Sequence, residues 1–325
     1  MGVLQTNLPH SLMAVPLASL RLNSVPGFNI YLKPGSASAP VLYRGADLPF
    51  TEETRQRLVE HAVQEVYIAS NDEAVYLRYL EENLGPILAD ETISIEHRSS
   101  MLYHSATNVI KELLADPRAG DLLSRSNALV EHTTQLMRHQ NQALRSLMRV
   151  SSYDYYTYTH SVNVFVFSLS LAQRLGFGGE ELQRFGQGAL LHDVGKSRLN
   201  AEIVNSRGRL TEDQWVQMRL HPVYGCEILE EQGCTDEIIL DVTRHHHEKL
   251  TGKGYPDGLA GKEISCWARI CTIADIFDAL TTRRSYKTAL NSFPSLRLMH
   301  EEMADELDQG YFRIFVEMLG AASSS

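Results

Sequence analysis

The hydrophobic pattern changes character along the chain. In residues 1–83, short β-prone runs at Leu20 to Leu22, Phe28 to Leu32 and Val41 to Tyr43 are separated by Pro and Gly. Glu52 and Glu53 follow Thr51 and open a helical pattern through Leu58 and Ala62, and Val66 to Ala69 reads as a returning strand. From about Glu73 the period lengthens. Leu113, Leu122, Leu123, Leu129, Val130, Leu136 and Leu144 recur at helical spacing, with a break at Asp116-Pro117. Beyond Ser151 helical patterns dominate. Val162, Val164, Phe165, Val166 and Leu169 make one helix apolar on nearly all sides, which belongs in a core. The expected architecture is α+β: a small mixed α/β domain over 1–83, a helical connector over 84–125 and an all-α domain over 126–325.

Composition narrows the function. A chain of 325 residues is long enough for two cores. Its formal charge of -10 argues against a coat for DNA, RNA or an anionic membrane. An anionic ligand must then be drawn by metal ions or by a few Lys and Arg. The most apolar stretch, Val162 to Ala172, is too short to span a bilayer, and the N-terminus lacks the basic start and apolar run of a secretory signal. Cys226, Cys234, Cys266 and Cys271 form no C-x-x-C pair, which fits a reducing, cytoplasmic setting.

The candidate chemistry lies in the second half. His160, the pair His192-Asp193, His221, the run His245-His246-His247 and Asp275 follow in order. Imidazole and carboxylate suit Fe, Mn, Ni or Zn, and no thiolate takes part. The His-Asp pair ends the apolar run Ala189-Leu190-Leu191, where two ionisable groups are costly to bury without a partner. A metal ion supplies one, and a carboxylate can bridge two. The residues alone therefore suggest metal-assisted phosphoester hydrolysis.

The stretch from His246 to Pro256, His-His-Glu-Lys-Leu-Thr-Gly-Lys-Gly-Tyr-Pro, resembles the signature of the HD-GYP family, a branch of the HD phosphohydrolases. Supporting motifs stand in order: His160-Ser161, His192-Asp193-Val194-Gly195-Lys196, His221-Pro222 with Gly225, Asp275-Ile276-Phe277-Asp278-Ala279-Leu280, and Arg284-Ser285-Tyr286-Lys287. The resemblance covers residues 126 to about 320. It implies an all-helical domain with two divalent ions, Fe or Mn before Ni or Zn. Their implied ligands are His160, His192, Asp193, His221, His246, His247 and Asp275, with Asp193 bridging. It also implies that Lys196 contacts phosphate and assists the leaving oxygen, that Arg284 and Lys287 bind phosphate, and that Tyr255 meets the substrate. His245 has no counterpart in the family set.

Two departures stand out. Tyr156 occupies the place of a Glu that holds a third metal in some members, so two ions are expected; Thr251 replaces a frequent Asp or Asn. The implied reaction is hydrolysis of a 3′,5′-phosphodiester in cyclic di-GMP, giving pGpG and, after a second cut, GMP. The alternative is a non-catalytic cyclic-dinucleotide receptor or docking module. A homodimer and signalling-protein partners are compatible with the N-terminal domain, which carries no chemical motif of its own.

Overall fold

In the computed structural model, the residues described are 11–33, 39–118, 121–139, 141–150, 157–206, 208–282 and 292–323. The chain divides into two compact units, Met1–Ser105 and Ala106–Ser325.

The first unit is built on strands β1 (Leu12–Pro16), β2 (Ile30–Leu32), β3 (Val41–Arg44) and β4 (Glu65–Ala69). They form an antiparallel sheet in the order β1-β4-β2-β3. Helix α1 (Glu52–Glu60) links β3 to β4, and Thr51 caps it by accepting from the Thr54 N–H. Helices α2 (Glu73–Glu82) and α3 (Leu84–Ala89) follow. Val66 and Ile68 alternate into the core from β4, the period that one buried sheet face demands. Beside them the ring of Phe28 meets the edges of Tyr76 and Tyr79, at centroid distances of 5.7 and 5.6 Å.

The run Leu20 to Leu22, expected as a strand, is not one. Asn23 turns the chain with a left-handed φ of 61°, and Leu20 is buried from the turn itself. The first strand is instead β1, which reads weakly because only Val15 in it is buried and Pro16 closes it.

In the second unit the helical expectation holds. Helix α4 (Ile95–Ala115) crosses from the first unit and ends just before the Asp116-Pro117 break. After it come α5 (Leu122–His139), α6 (Asn141–Val150), α7 (Thr157–Arg174), α8 (Gly179–Leu191), α9 (Ala201–Val204) and α10 (Glu212–Met218). The chain continues with α11 (His221–Glu231), α12 (Glu237–His245), α13 (Cys266–Thr281), α14 (Ser292–Glu302) and α15 (Gln309–Ser323). Helix α7 is the axle: residues 159–172 are all buried, and α8, α13 and α15 pack around it. Phe167, Phe277 and Phe315 join three of these helices edge to face, with centroids 5.2 to 6.1 Å apart.

A 3₁₀ turn at Val194–Arg198 follows α8 and lies on α11. A Cβ on Gly195 would fall 1.9 Å from the His221 carbonyl oxygen and 2.4 Å from the Gly225 nitrogen. Only glycine permits this backbone-to-backbone approach, which brings His192-Asp193 to His221. Among the described residues, no helix is long and apolar enough to cross a membrane.

Candidate metal centre

Three of the expected ligands stand at helix ends. His192 follows α8, His221 follows the end of α10, and His246 follows α12. Each places its Nδ1 on the carbonyl three residues back: Ala189 at 2.7 Å, Met218 at 2.7 Å and Thr243 at 2.9 Å. Carbonyls in the last turn of a helix lack their usual partner, so the ring satisfies one of them. A carbonyl can only accept. Nδ1 must therefore carry the proton, which leaves the Nε2 lone pair facing inward. His160 comes from α7, and its Nδ1 lies 2.7 Å from the Asp278 carboxylate on α13. Its Nε2 faces Asp275 Oδ1 at 3.0 Å, a gap that a proton or a metal ion can fill.

These nitrogens converge on two carboxylates. Asp193 Oδ1 lies 3.3 Å from His221 Nε2 and 4.0 Å from His246 Nε2. Its Oδ2 lies 3.6 Å from His160 and 3.5 Å from His192, and also meets the Lys196 ammonium. Asp275 Oδ2 lies 3.4 Å from His247 Nδ1. The ligand atoms form two groups, Asp193 with His221, His246 and His247, and His160 with His192 and Asp275. Within each group these atoms lie within 4.8 Å of one another.

The set fits cations. His221 Nε2 and His246 Nε2 are 3.3 Å apart, two lone pairs pointed at one space. His192 Nε2 and Asp193 Oδ1 are fully buried and lack a hydrogen-bond partner among the described residues. Burial without a partner is unfavourable for both, and a cation between them relieves it. Burial also drives the imidazole pKa values down, to about 3 for His221 and about 4 for His246. His192 and His247 shift the same way for the same cause. Burial pushes Asp193 and Asp275 up, but the Lys196 ammonium at Asp193 and a hydrogen bond from His160 at Asp275 lead the influences that outweigh it. Both are held well below the usual carboxylate range. At neutral pH His192, His221, His246 and His247 are therefore neutral and Asp193 and Asp275 ionised, the forms that bind metal.

A family profile described as HD domain matches residues 121–310. The chain belongs to the HD domain family. Its ordered motifs place it in the HD-GYP branch. A cyclic di-GMP phosphodiesterase of Pseudomonas aeruginosa is 32% identical over 324 residues, covering 95% of this chain and 77% of the relative. A 3′3′-cGAMP-specific phosphodiesterase of Vibrio cholerae is 36% identical over 48% of this chain and 34% of its own length. A cyclic di-GMP phosphodiesterase response regulator of Xanthomonas campestris is 37% identical over 41% and 35%. The chain thus spans about a third of the last two relatives, and most of the first. An HDG"Y"P protein of Bdellovibrio bacteriovorus shares the fold over 95% of this chain and 100% of its own, with a TM-score of 0.66 at 21% identity.

The HD domain places the other expected residues unevenly. Lys196 lies in the 3₁₀ turn, one turn from His192 and largely buried. Tyr255 stacks on His247 with centroids 4.7 Å apart and ring planes 30° apart, and burial raises its phenol pKa well above the ordinary value. Arg284, Lys287 and Tyr156 lie outside the described residues. Thr251 forms a β-bridge with Ala260 across the loop. His245 is tied away from the cluster, between Asp241 at 2.8 Å and Asp257 at 3.0 Å.

Three supporting residues, Asp278, Asn163 and Glu248, carried no assigned role in the sequence. Asp278 lies one turn after Asp275, buried, and holds His160 with one oxygen. Its other oxygen accepts from Asn163 at 2.8 Å and from Thr282 at 3.0 Å. Their i, i+3 spacing from Asp275 and His160 was the available signal. The third is Glu248, buried beside His247. Its Oε1 accepts from the N–H groups of Asp257 and Gly258, at 2.7 and 2.9 Å. A Cβ on Gly254 would fall 2.5 Å from the Glu248 Cα, so the loop folds tightly back on the His-His-Glu segment. That fold seats Tyr255 over His247.

Proposed function

We propose that this HD domain hydrolyses a 3′,5′-phosphodiester bond of cyclic di-GMP to pGpG, and then to GMP by a second cut. The observation that carries the reading is Asp193, whose two oxygens each face a different set of imidazoles. In this reading His160, His192, Asp193, His221, His246, His247 and Asp275 hold two divalent ions, Fe or Mn before Ni or Zn. The bound ions would draw the anionic phosphate into a surface of net negative charge and stabilise the charge that builds on it.

Water adds to phosphorus, the bond from phosphorus to the ribose 3′-oxygen breaks, and that oxygen takes up a proton. Lys196, at the edge of the cluster beside Asp193, places its ammonium on the phosphate and helps the departing oxygen. Arg284 and Lys287 hold the phosphate, and Tyr255 bounds the substrate on the His247 side. Residues 1–83 act as a regulatory domain joined by the 84–125 connector. The P. aeruginosa relative, which matches nearly the whole chain, supports the same substrate.

The test is chromatography of products after metal-loaded protein is incubated with cyclic di-GMP. Release of pGpG that stops on chelation is expected. Intact cyclic di-GMP held tightly by loaded protein would overturn catalysis in favour of a receptor.

A further inference from the structure

Helix α10 carries chemistry that the metal centre does not use. Trp215 is 48% exposed. Arg219 follows one helical turn later, its backbone N–H donating to the Trp215 carbonyl at 3.0 Å, so the two side chains share a helix face. The Arg219 guanidinium lies over the Tyr255 ring, with Cζ 5.6 Å from the centroid. Tyr255 in turn stacks on His247. A column thus runs outward from Asp275 through His247 and Tyr255 to Arg219, as a nucleobase lies outward from its phosphate. Among the described residues the guanidinium has no hydrogen bond or ion pair, although acids outnumber bases in this chain. Its face is taken up by Tyr255, but its N–H donors lie along the edge of the plane, where an acceptor pair can reach them.

We propose that Trp215 and Arg219 recognise one guanine base of the cyclic dinucleotide, which rests on the reading of the chain as a cyclic-dinucleotide phosphodiesterase. Arg219 donates a bidentate pair to guanine O6 and N7, and Trp215 stacks on the base. Guanine presents two adjacent acceptors on that edge. Adenine replaces O6 with an amino donor, which a guanidinium N–H cannot bond. Stacking is indifferent to the base, so Trp215 supplies affinity and Arg219 supplies the choice of guanine.

The test uses full-length protein, metal-loaded for the rates and metal-free for the titration. Rates are measured on cyclic di-GMP with cyclic di-AMP as competitor, and tryptophan emission is followed while metal-free protein is titrated with cyclic di-GMP. Trp267 is buried, so the water-exposed emission belongs to Trp215. Arg219→Ala should raise KM for cyclic di-GMP about tenfold or more with kcat nearly retained, while competition by cyclic di-AMP changes little. Arg219→Lys keeps the charge but loses the rigid planar fork, so it should recover only part of the preference for guanine. Ligand should quench the native emission; Trp215→Ala should abolish that signal and weaken both nucleotides by roughly tenfold, and Trp215→Phe should restore most of the affinity though not the signal. Unchanged KM in Arg219→Ala and Trp215→Ala, with emission undisturbed by ligand, would overturn the proposal while the hydrolytic reading stood. If the native protein neither cleaves nor binds cyclic di-GMP, that reading falls and this proposal with it.

Discussion

The two units of this chain differ in what they bury beside their apolar cores. Around the sheet of the first, the core is Val15, Phe28, Ile30, Phe50, Val66 and Ile68, with tyrosine hydroxyls at its margin. The buried interior of the second holds His160, His192, Asp193, His221, His246, Asp275 and Asp278. Removing apolar area from water stabilises the first unit directly. The second places desolvated ionisable groups face to face, an arrangement that opposes folding until a cation enters. The apolar shell of α7, with Phe167, Phe277 and Phe315, offsets that opposition. Stability and chemistry therefore draw on different side chains, and substitutions should separate them too.

The contrast breaks most severely at Asp193. Asp193→Ala should lower turnover about a thousandfold or more and reduce the metal content, while far-ultraviolet circular dichroism still reports a helical protein. Native protein purified without chelator should carry about two ions per chain by elemental analysis. A folded, fully active Asp193→Ala protein would refute the bridging role.

The reverse substitution belongs in the first unit. Phe28→Ala removes a fully buried ring that meets two tyrosine edges, and should destabilise that unit by about 3–5 kcal/mol in urea titration. Metal content per chain should be unchanged. Loss of metal alongside the sheet would show that the two units are energetically one.

A finer distinction lies between holding a metal and aiming its ligand. Asp278→Ala leaves every expected ligand in place but removes the acceptor of His160 Nδ1. Metal affinity, read by competition with a chelating dye, should fall about 10- to 100-fold. Asp278→Asn, which keeps an acceptor oxygen, should recover part of it.

The smallest effect concerns acid. Buried imidazoles with depressed pKa values bind protons more readily when unfolded, so stability rises with pH across that window. Metal-stripped protein should therefore lose stability as pH falls from about 6.5 toward the folded values of about 4 for His246 and about 3 for His221. The depressed Asp193 and Asp275 extend the same loss to lower pH. Urea midpoints that stay constant from pH 7 to 5 would contradict the burial of neutral imidazole.

Much of the second unit was legible because its signals are local. Five ordered motifs marked the cluster, and the apolar run around Phe165 marked α7. What escaped depends on partners distant in sequence. Nothing in the spacing of 118 residues says that Asp278 will hold His160, since that contact needs the register of α13 against α7. The clamp of Glu248 on Asp257 and Gly258 required the loop to reverse first. In the sheet, β1 was missed because one buried residue in five gives almost no period to read. The mixed α/β class was still recoverable from the segments around β2, α1 and β4.

The carbonyl-held imidazoles also set how the site exchanges ions with its surroundings. His192, His221 and His246 present unprotonated Nε2 atoms at neutral pH because the main chain already occupies Nδ1. An arriving cation therefore displaces no proton from these three rings, whereas a thiolate site must release one for each sulfur it engages. Ion uptake by those rings is then decoupled from the acidity of the medium well above the folded values of about 3 for His221 and about 4 for His246. Occupancy of those rings then depends on the supply of the cation and its affinity, with little response to modest drifts in pH.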